Sequence, residues 1–222
     1  MDMNGILNSD DTMTRFLRIG TQLCVRHVYR LLEGDSNSPP GLVRREKYYA
    51  MCDSFVKLAA LLIKHTDGTN PKPKLNLLNK VLGIIAGCLL QDHEDCGKGF
   101  QQLPYHRLLL ILFLDMTMVE PVLDSMNYQV VTAFCQTLRT VRPSVAPGFC
   151  YSWLELVSHR TFIDRVLAVI PQRKGWDLYS ALLMDLFKFL DPFLKSADLP
   201  APVLTLYKGT VKVLIVLLHD FP

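Results

Sequence analysis

The residues best suited to chemistry are Asp92-His93-Glu94-Asp95-Cys96, where oxygen donors flank an imidazole and a thiol in one short run. In a loop, that spacing could gather ligands around a divalent ion. Zinc sites, however, normally draw a second ligand pair from a distance, and none stands out here. His106-Arg107 and Ser158-His159-Arg160 offer imidazoles as general bases. Each lies near a predicted helix end, where histidine and arginine serve terminal carbonyls and the helix dipole, and that structural role is preferred. Ser158 beside His159 is no nucleophile pair, because such partners must meet in space rather than in sequence. No G-x-S-x-G, P-loop, dinucleotide fingerprint or H-E-x-x-H occurs. The six histidines form no cluster, and Trp153 and Trp176 read as core residues rather than cofactor walls. The reading is no catalytic residue, no cofactor and no metal ligand. Its rival is a helical metal-dependent hydrolase built from the scattered His93, His106 and His159, which a stoichiometric transition metal in the purified protein would favour.

The elements that would position such residues come from a chain of 222 residues, half of them hydrophobic and 20% charged, with mean hydropathy +0.19. This length can bury roughly 70% of its unfolded surface in a core without disulfides or metal. The composition excludes a disordered or low-complexity chain. A formal charge of +3 is too small for a nucleic-acid-binding face, and direct RNA binding is disfavoured. The basic cluster Arg44-Arg45-Glu46-Lys47 reads as the solvated first turn of a helix. Six cysteines in no C-x-x-C pair, mostly inside apolar runs, read as buried thiols in a reducing compartment. No signal peptide is visible, and the longest uncharged apolar stretch, 81–90, is half a membrane span. The expectation is a soluble intracellular protein with no membrane partner.

Helical periodicity dominates, punctuated by Pro and Gly. Helices are predicted over about 11–33, 41–65 and 75–92, then from Pro104, from Asn127 to about Arg139, and over 149–157 and 162–170. Two more carry the stripes Tyr179, Leu182, Leu183, Leu186, Phe187, Leu190 and Leu204, Tyr207, Val211, Leu214, Leu218. Pro121 starts a further short helix or turn, and 34–40, 66–74, 92–102 and 142–148 are loops. Nine or ten helices, short connections and no strand alternation make the chain all-α. Hairpins of this length suggest a HEAT-like solenoid, with a globular bundle as the alternative.

Several blocks then carry a resemblance: Leu75 to Ile84; Leu90-Gln91-Asp92-His93 with Phe100 to Arg107; Thr132 to Cys135; Ala146-Pro147-Gly148-Phe149; Trp153-Leu154-Glu155-Leu156; Lys174-Gly175-Trp176; Leu206 to Thr210; and Val216 to Pro222. In this order they resemble the C-terminal homology domain of the Not-one scaffold subunits of the CCR-NOT mRNA deadenylase complex. With a flexible N-terminus over 1–12 and a hinge read from the two-proline loop 142–148, the resemblance implies a HEAT-like portion of that domain over 13–222, truncated at 222. It also implies a non-catalytic scaffold in mRNA deadenylation, decay and translational repression, in the cytoplasm and processing bodies with a nuclear pool. The implied partners are the Not-two and Not-three type subunits and short motifs of RNA-binding repressors such as Nanos. On that footing, two surfaces are assigned to partners. One is a groove between the first two helices, rimmed by Tyr48, Tyr49 and Lys57, since a tyrosine ring buries area while its hydroxyl stays wet. The other is the last helix, where Tyr207, Leu214 and Leu218 are expected to stay uncovered.

Overall fold

The computed structural model describes residues 10–34, 42–66, 70–118, 126–169, 172–196 and 198–221. Among them the regular elements are all helical: α1 (Asp10–Gly34), α2 (Leu42–His65), α3 (Pro71–Cys96), α4 (Leu103–Thr117), α5 (Asn127–Thr140), α6 (Cys150–Val157), α7 (Arg160–Leu167), α8 (Gln172–Leu194) and α9 (Ala201–Asp220), with two short 3-10 turns. The all-α expectation holds. Residues 10–12, assigned by sequence to a flexible terminus, begin α1. The turn at Pro121 and most of the 34–40 loop lie outside the described residues, as do the side chains of Arg44 to Lys47. The chain divides into two compact units between Thr137 and Leu138, inside α5 and just before 142–148.

In the first unit α1, α2, α3 and α4 pack against one another as antiparallel hairpins. Cys24 of α1 lies against Met51 of α2, whereas Phe16 meets Phe55, so the chain direction reverses between them. Gly20 makes this approach possible, because a Cβ there would stand 2.3 Å from the Phe55 ring. The core runs through Leu17, Val28, Cys52, Val56, Leu78, Leu89 and Leu108. Phe134 of α5 closes it with an edge-on contact to Phe113 at 5.1 Å.

α3 is longer than its sequence suggests at both ends. Pro71 sits in its first turn, where amide hydrogens are unsatisfied anyway, and the Asn70 side chain accepts from the Lys72 amide. The helix then runs past Asp92 to Cys96 and stops at Gly97, whose φ of +49° suits a residue without a Cβ. The Asp92 carboxylate explains this extension. It accepts hydrogen bonds from Tyr29 Oη at 2.6 Å and Tyr105 Oη at 3.2 Å, tying α1, α3 and α4 together. Burial and this carboxylate push both tyrosine hydroxyls well above their ordinary range.

The second unit packs α7 on α8, α9 on α6 and α6 on α7. Trp153 and Tyr179 are fully buried, and each hydroxyl or indole donor finds a helix-end carbonyl: Trp153 Nε1 to Leu138 O at 2.7 Å, Tyr179 Oη to Val157 O at 3.2 Å. Trp176, read by sequence as core, is instead 39% exposed. Phe187 also departs from its predicted stripe at 38% exposed and Leu183 is half-buried, while Tyr179, Leu182, Leu186 and Leu190 are buried.

All six cysteines are free thiols. Cys24, Cys52, Cys88 and Cys135 are buried, and desolvation pushes the Cys135 thiol up to about 12. Cys96, by contrast, is exposed at the end of α3. Brief alkylation of the native protein near pH ~8 is expected to mark Cys96 first and spare the four buried thiols until denaturation. Equal labelling of Cys135, or a native disulfide found by mass mapping, contradicts this.

Candidate functional site

The sequence's metal candidate becomes the last turn of a helix. Asp92 is engaged by the two tyrosines and by the Cys96 thiol, whose sulfur lies 3.3 Å from its second oxygen. The His93 ring packs edge-on against Phe100 at 5.2 Å, and Phe100 in turn stacks on Tyr105. Among the described residues no group of three or more His, Cys, Asp or Glu is arranged to hold a metal ion. His106 and His159 do lie near helix ends, as the sequence suggests, but at N-termini rather than beside last-turn carbonyls. His106 lies in the first turn of α4 and His159 at the N-cap of α7, the positive ends of helix dipoles.

What the first unit does present is an apolar furrow. α1 carries two adjacent stripes at helical spacing. Leu17, Thr21, Cys24 and Val28 face the core, whereas Phe16, Ile19 and Leu23 stay 37%, 55% and 53% exposed. Across the furrow, Leu58 is 44% exposed one turn beyond Phe55, which fills the floor with its ring 6.5 Å from that of Phe16. A soluble surface usually carries single apolar residues; a contiguous set marks an interaction site.

The predicted rim divides. Tyr48 lies two turns before Phe55, on the same face of α2, and is half-buried. Tyr49 is one position round, on the side of Arg107. There Arg107 makes a two-pronged ion pair with Asp53, at 2.7 and 2.8 Å, which raises the guanidinium above its ordinary range. Lys57, one turn after Asp53, is exposed on that other face and not on the furrow. The sequence alone assigns none of Phe16, Ile19, Leu23 and Leu58 to this surface. The signal was the width of the apolar arc on α1, too broad for one helix neighbour to cover.

In the second unit, α9 buries the line Leu206, Thr210, Val213, Leu217. Tyr207, Leu214 and Leu218 lie outside it, 37%, 37% and 78% exposed. Of the predicted stripe, Leu204 and Val211 are half-buried and these three are exposed. Thr210 occupies the buried line because its hydroxyl bonds back to Leu206 O at 2.9 Å. Gly209 lets α9 close on α6, where a Cβ would come 2.9 Å from Leu154. Beside this contact lies a cleft of about 400 Å³ floored by Leu154, Ile163, Val213 and Val216, with Glu155 and Lys212 at its edges. By length and composition α3 and α9 could each cross a membrane; α3 spends its apolar residues on the core.

Comparison with known proteins gives these surfaces a setting. Residues 113–222 match the family described as CCR4-Not complex component, Not1. The whole chain aligns at 39% identity with the CCR4-NOT transcription complex subunit let-711 of Caenorhabditis elegans, covering 9% of that protein. The chain is homologous to the Not1 subunit. It is also 27% identical to the general negative regulator of transcription subunit 1 of Schizosaccharomyces pombe over 98% of its length, covering 10% of that protein. Among solved structures, the NOT1 superfamily homology domain from Chaetomium thermophilum superposes with a TM-score of 0.86 at 24% identity, over 97% of this chain and 40% of that one. A Not1 C-terminal domain in complex with Not4 gives 0.75 at 21% identity, over 99% and 42%. These likenesses show the fold. The chain spans about a tenth of its curated relatives and two-fifths of the solved domains.

Proposed function

We propose that this chain is a non-catalytic docking portion of a CCR4-NOT scaffold. It receives short linear motifs of RNA-binding repressors such as those of Nanos type, and NOT-module subunits of the Not-two, Not-three and Not4 type. Deadenylase subunits held elsewhere on the scaffold are thereby brought to chosen messages, which are deadenylated, degraded and translationally repressed. The site of action is the cytoplasm, including processing bodies, with a nuclear pool. The observation that carries this reading is the exposed apolar furrow between α1 and α2. The homology to Not1 supports it, as does the solved relative described in complex with Not4.

The test is titration of a Nanos-type peptide against the full chain. Leu23→Asp places a charge on the furrow wall and is expected to abolish binding, while Tyr48→Ala costs about 2 kcal/mol if that ring is an anchor. Tyr49→Ala and Lys57→Ala, on the other face, should leave affinity unchanged. Wild-type affinity in a folded Leu23→Asp protein rejects the furrow.

A further inference from the structure

The solvent face of α1 is basic as well as apolar. Arg15 stands one turn before Ile19, Arg26 two turns after it, and Arg30 two turns after Leu23, so all three share the face of the exposed apolar stripe. All are exposed, and among the described residues none is held in an ion pair. Arg18 is exposed on the side toward α3, where its charge partly opposes the burial that raises the Cys88 thiol. Between Thr12 and Leu32 α1 contains no acidic residue. Asp11 and Glu33 stand at its two ends, and Asp10 is engaged by Lys80. On the α2 side, Asp53 is committed to Arg107. The furrow thus has an apolar floor, filled by the buried Phe55 ring, and a rim of guanidinium groups that make no ion pair among the described residues.

We infer that the partner segment received by this furrow is acidic. Its apolar anchors lie between Phe16, Ile19, Leu23 and Leu58, and its Asp and Glu residues pair with Arg15, Arg26 and Arg30. The inference rests on the docking reading above and specifies its chemistry. Guanidinium groups favour carboxylates because two donors can meet two oxygens in one plane. Single-stranded RNA would seek the same charges but needs aromatic faces for its bases. Here the α1 wall beside the arginines is Ile19 and Leu23 with Phe16 as its one exposed ring, the Phe55 ring is buried in the floor and Tyr48 is half-buried, so no row of open aromatic faces is offered to bases. Exposed arginines of this kind contribute to encounter rate and specificity as well as affinity.

Arg15 to Arg30 spans about 22 Å, the length of a helical peptide of about 16 residues. A displayed random library of peptides of about that length is therefore selected against the full chain at low salt. Peptides whose binding is lost on Leu23→Asp are sequenced and titrated. They are expected to be rich in Asp and Glu around apolar anchors. Their affinity should fall about tenfold or more with the double variant Arg15→Glu and Arg26→Glu, and weaken as salt rises. Both arginines are exposed, so the variant should keep the wild-type circular dichroism spectrum. Neutral or basic peptides, or indifference to the charge reversal, overturn the inference while Leu23→Asp sensitivity keeps the furrow. Selection of no peptide sensitive to Leu23→Asp overturns both. An oligouridylate that displaces the peptides and requires the same arginines makes the rim a nucleic-acid site and also sinks it.

Discussion

Replacing Trp153 with alanine is expected to lower the stability of the second unit by about 4 kcal/mol, near the upper range for emptying a core site. The indole is fully buried, and such a ring removes 150–250 Å² from water in general terms. Two separate losses combine in the variant. One is the transfer and cavity cost of an indole with no neighbour able to refill its volume. The other is the carbonyl of Leu138, near the C-terminal end of α5, which loses the donor held at 2.7 Å. Helix-end carbonyls have no intrahelical partner, so the indole is both core residue and cap. Trp153→Phe separates the two, retaining most of the apolar volume and forfeiting the hydrogen bond for about 1–2 kcal/mol. Urea unfolding followed by circular dichroism measures both. A Trp153→Ala cost below that of Trp153→Phe would refute the packing account.

The helices are legible where periodicity and punctuation agree, as in α2, where the apolar repeat Cys52, Phe55, Val56, Ala59, Leu62 and Ile63 is buried except at the half-buried Leu62. Legibility failed where a local signal had two physical meanings. Pro71 and Pro73 read as breakers, yet the first turn of a helix has no use for their missing amide hydrogens. The polar run 92–96 read as a loop because its carboxylate partners, Tyr29 and Tyr105, come from other helices. The stripes of α1 and α9 show a second limit. Both helices are apolar over a wide arc, and period alone cannot say which part a neighbour covers. On α9 the covered line is the less hydrophobic one, because Gly209 and Thr210 permit a closer approach to α6 than the leucines would. For the same reason the sequence of α1 does not separate the furrow from the core. The ionic rim was equally visible as residues, but its meaning depended on which acids the fold had already paired.

Lys74→Ala is expected to cost about 3 kcal/mol, an effect that no inspection of residue types would suggest. Lys74 has no exposed surface, although lysine is almost never fully buried without partners. Its partners are carbonyls at the end of α2: Nζ donates to Lys64 O and, at 2.7 Å, to Thr66 O. Those groups sit at the negative pole of the helix dipole, where a cation is favoured. The ammonium thereby joins the start of α3 to the end of α2, the helix whose Phe55 meets α1. Lys74→Met keeps the aliphatic volume but leaves both carbonyls without a donor, for about 2 kcal/mol. The exposed Lys72→Ala, two residues away, should stay within about 0.5 kcal/mol of wild type. Chemical denaturation of the three variants orders them as Ala, then Met, then the control. A Lys74→Met protein as stable as wild type would mean that the two carbonyls are satisfied by water and that the buried ammonium holds nothing in place.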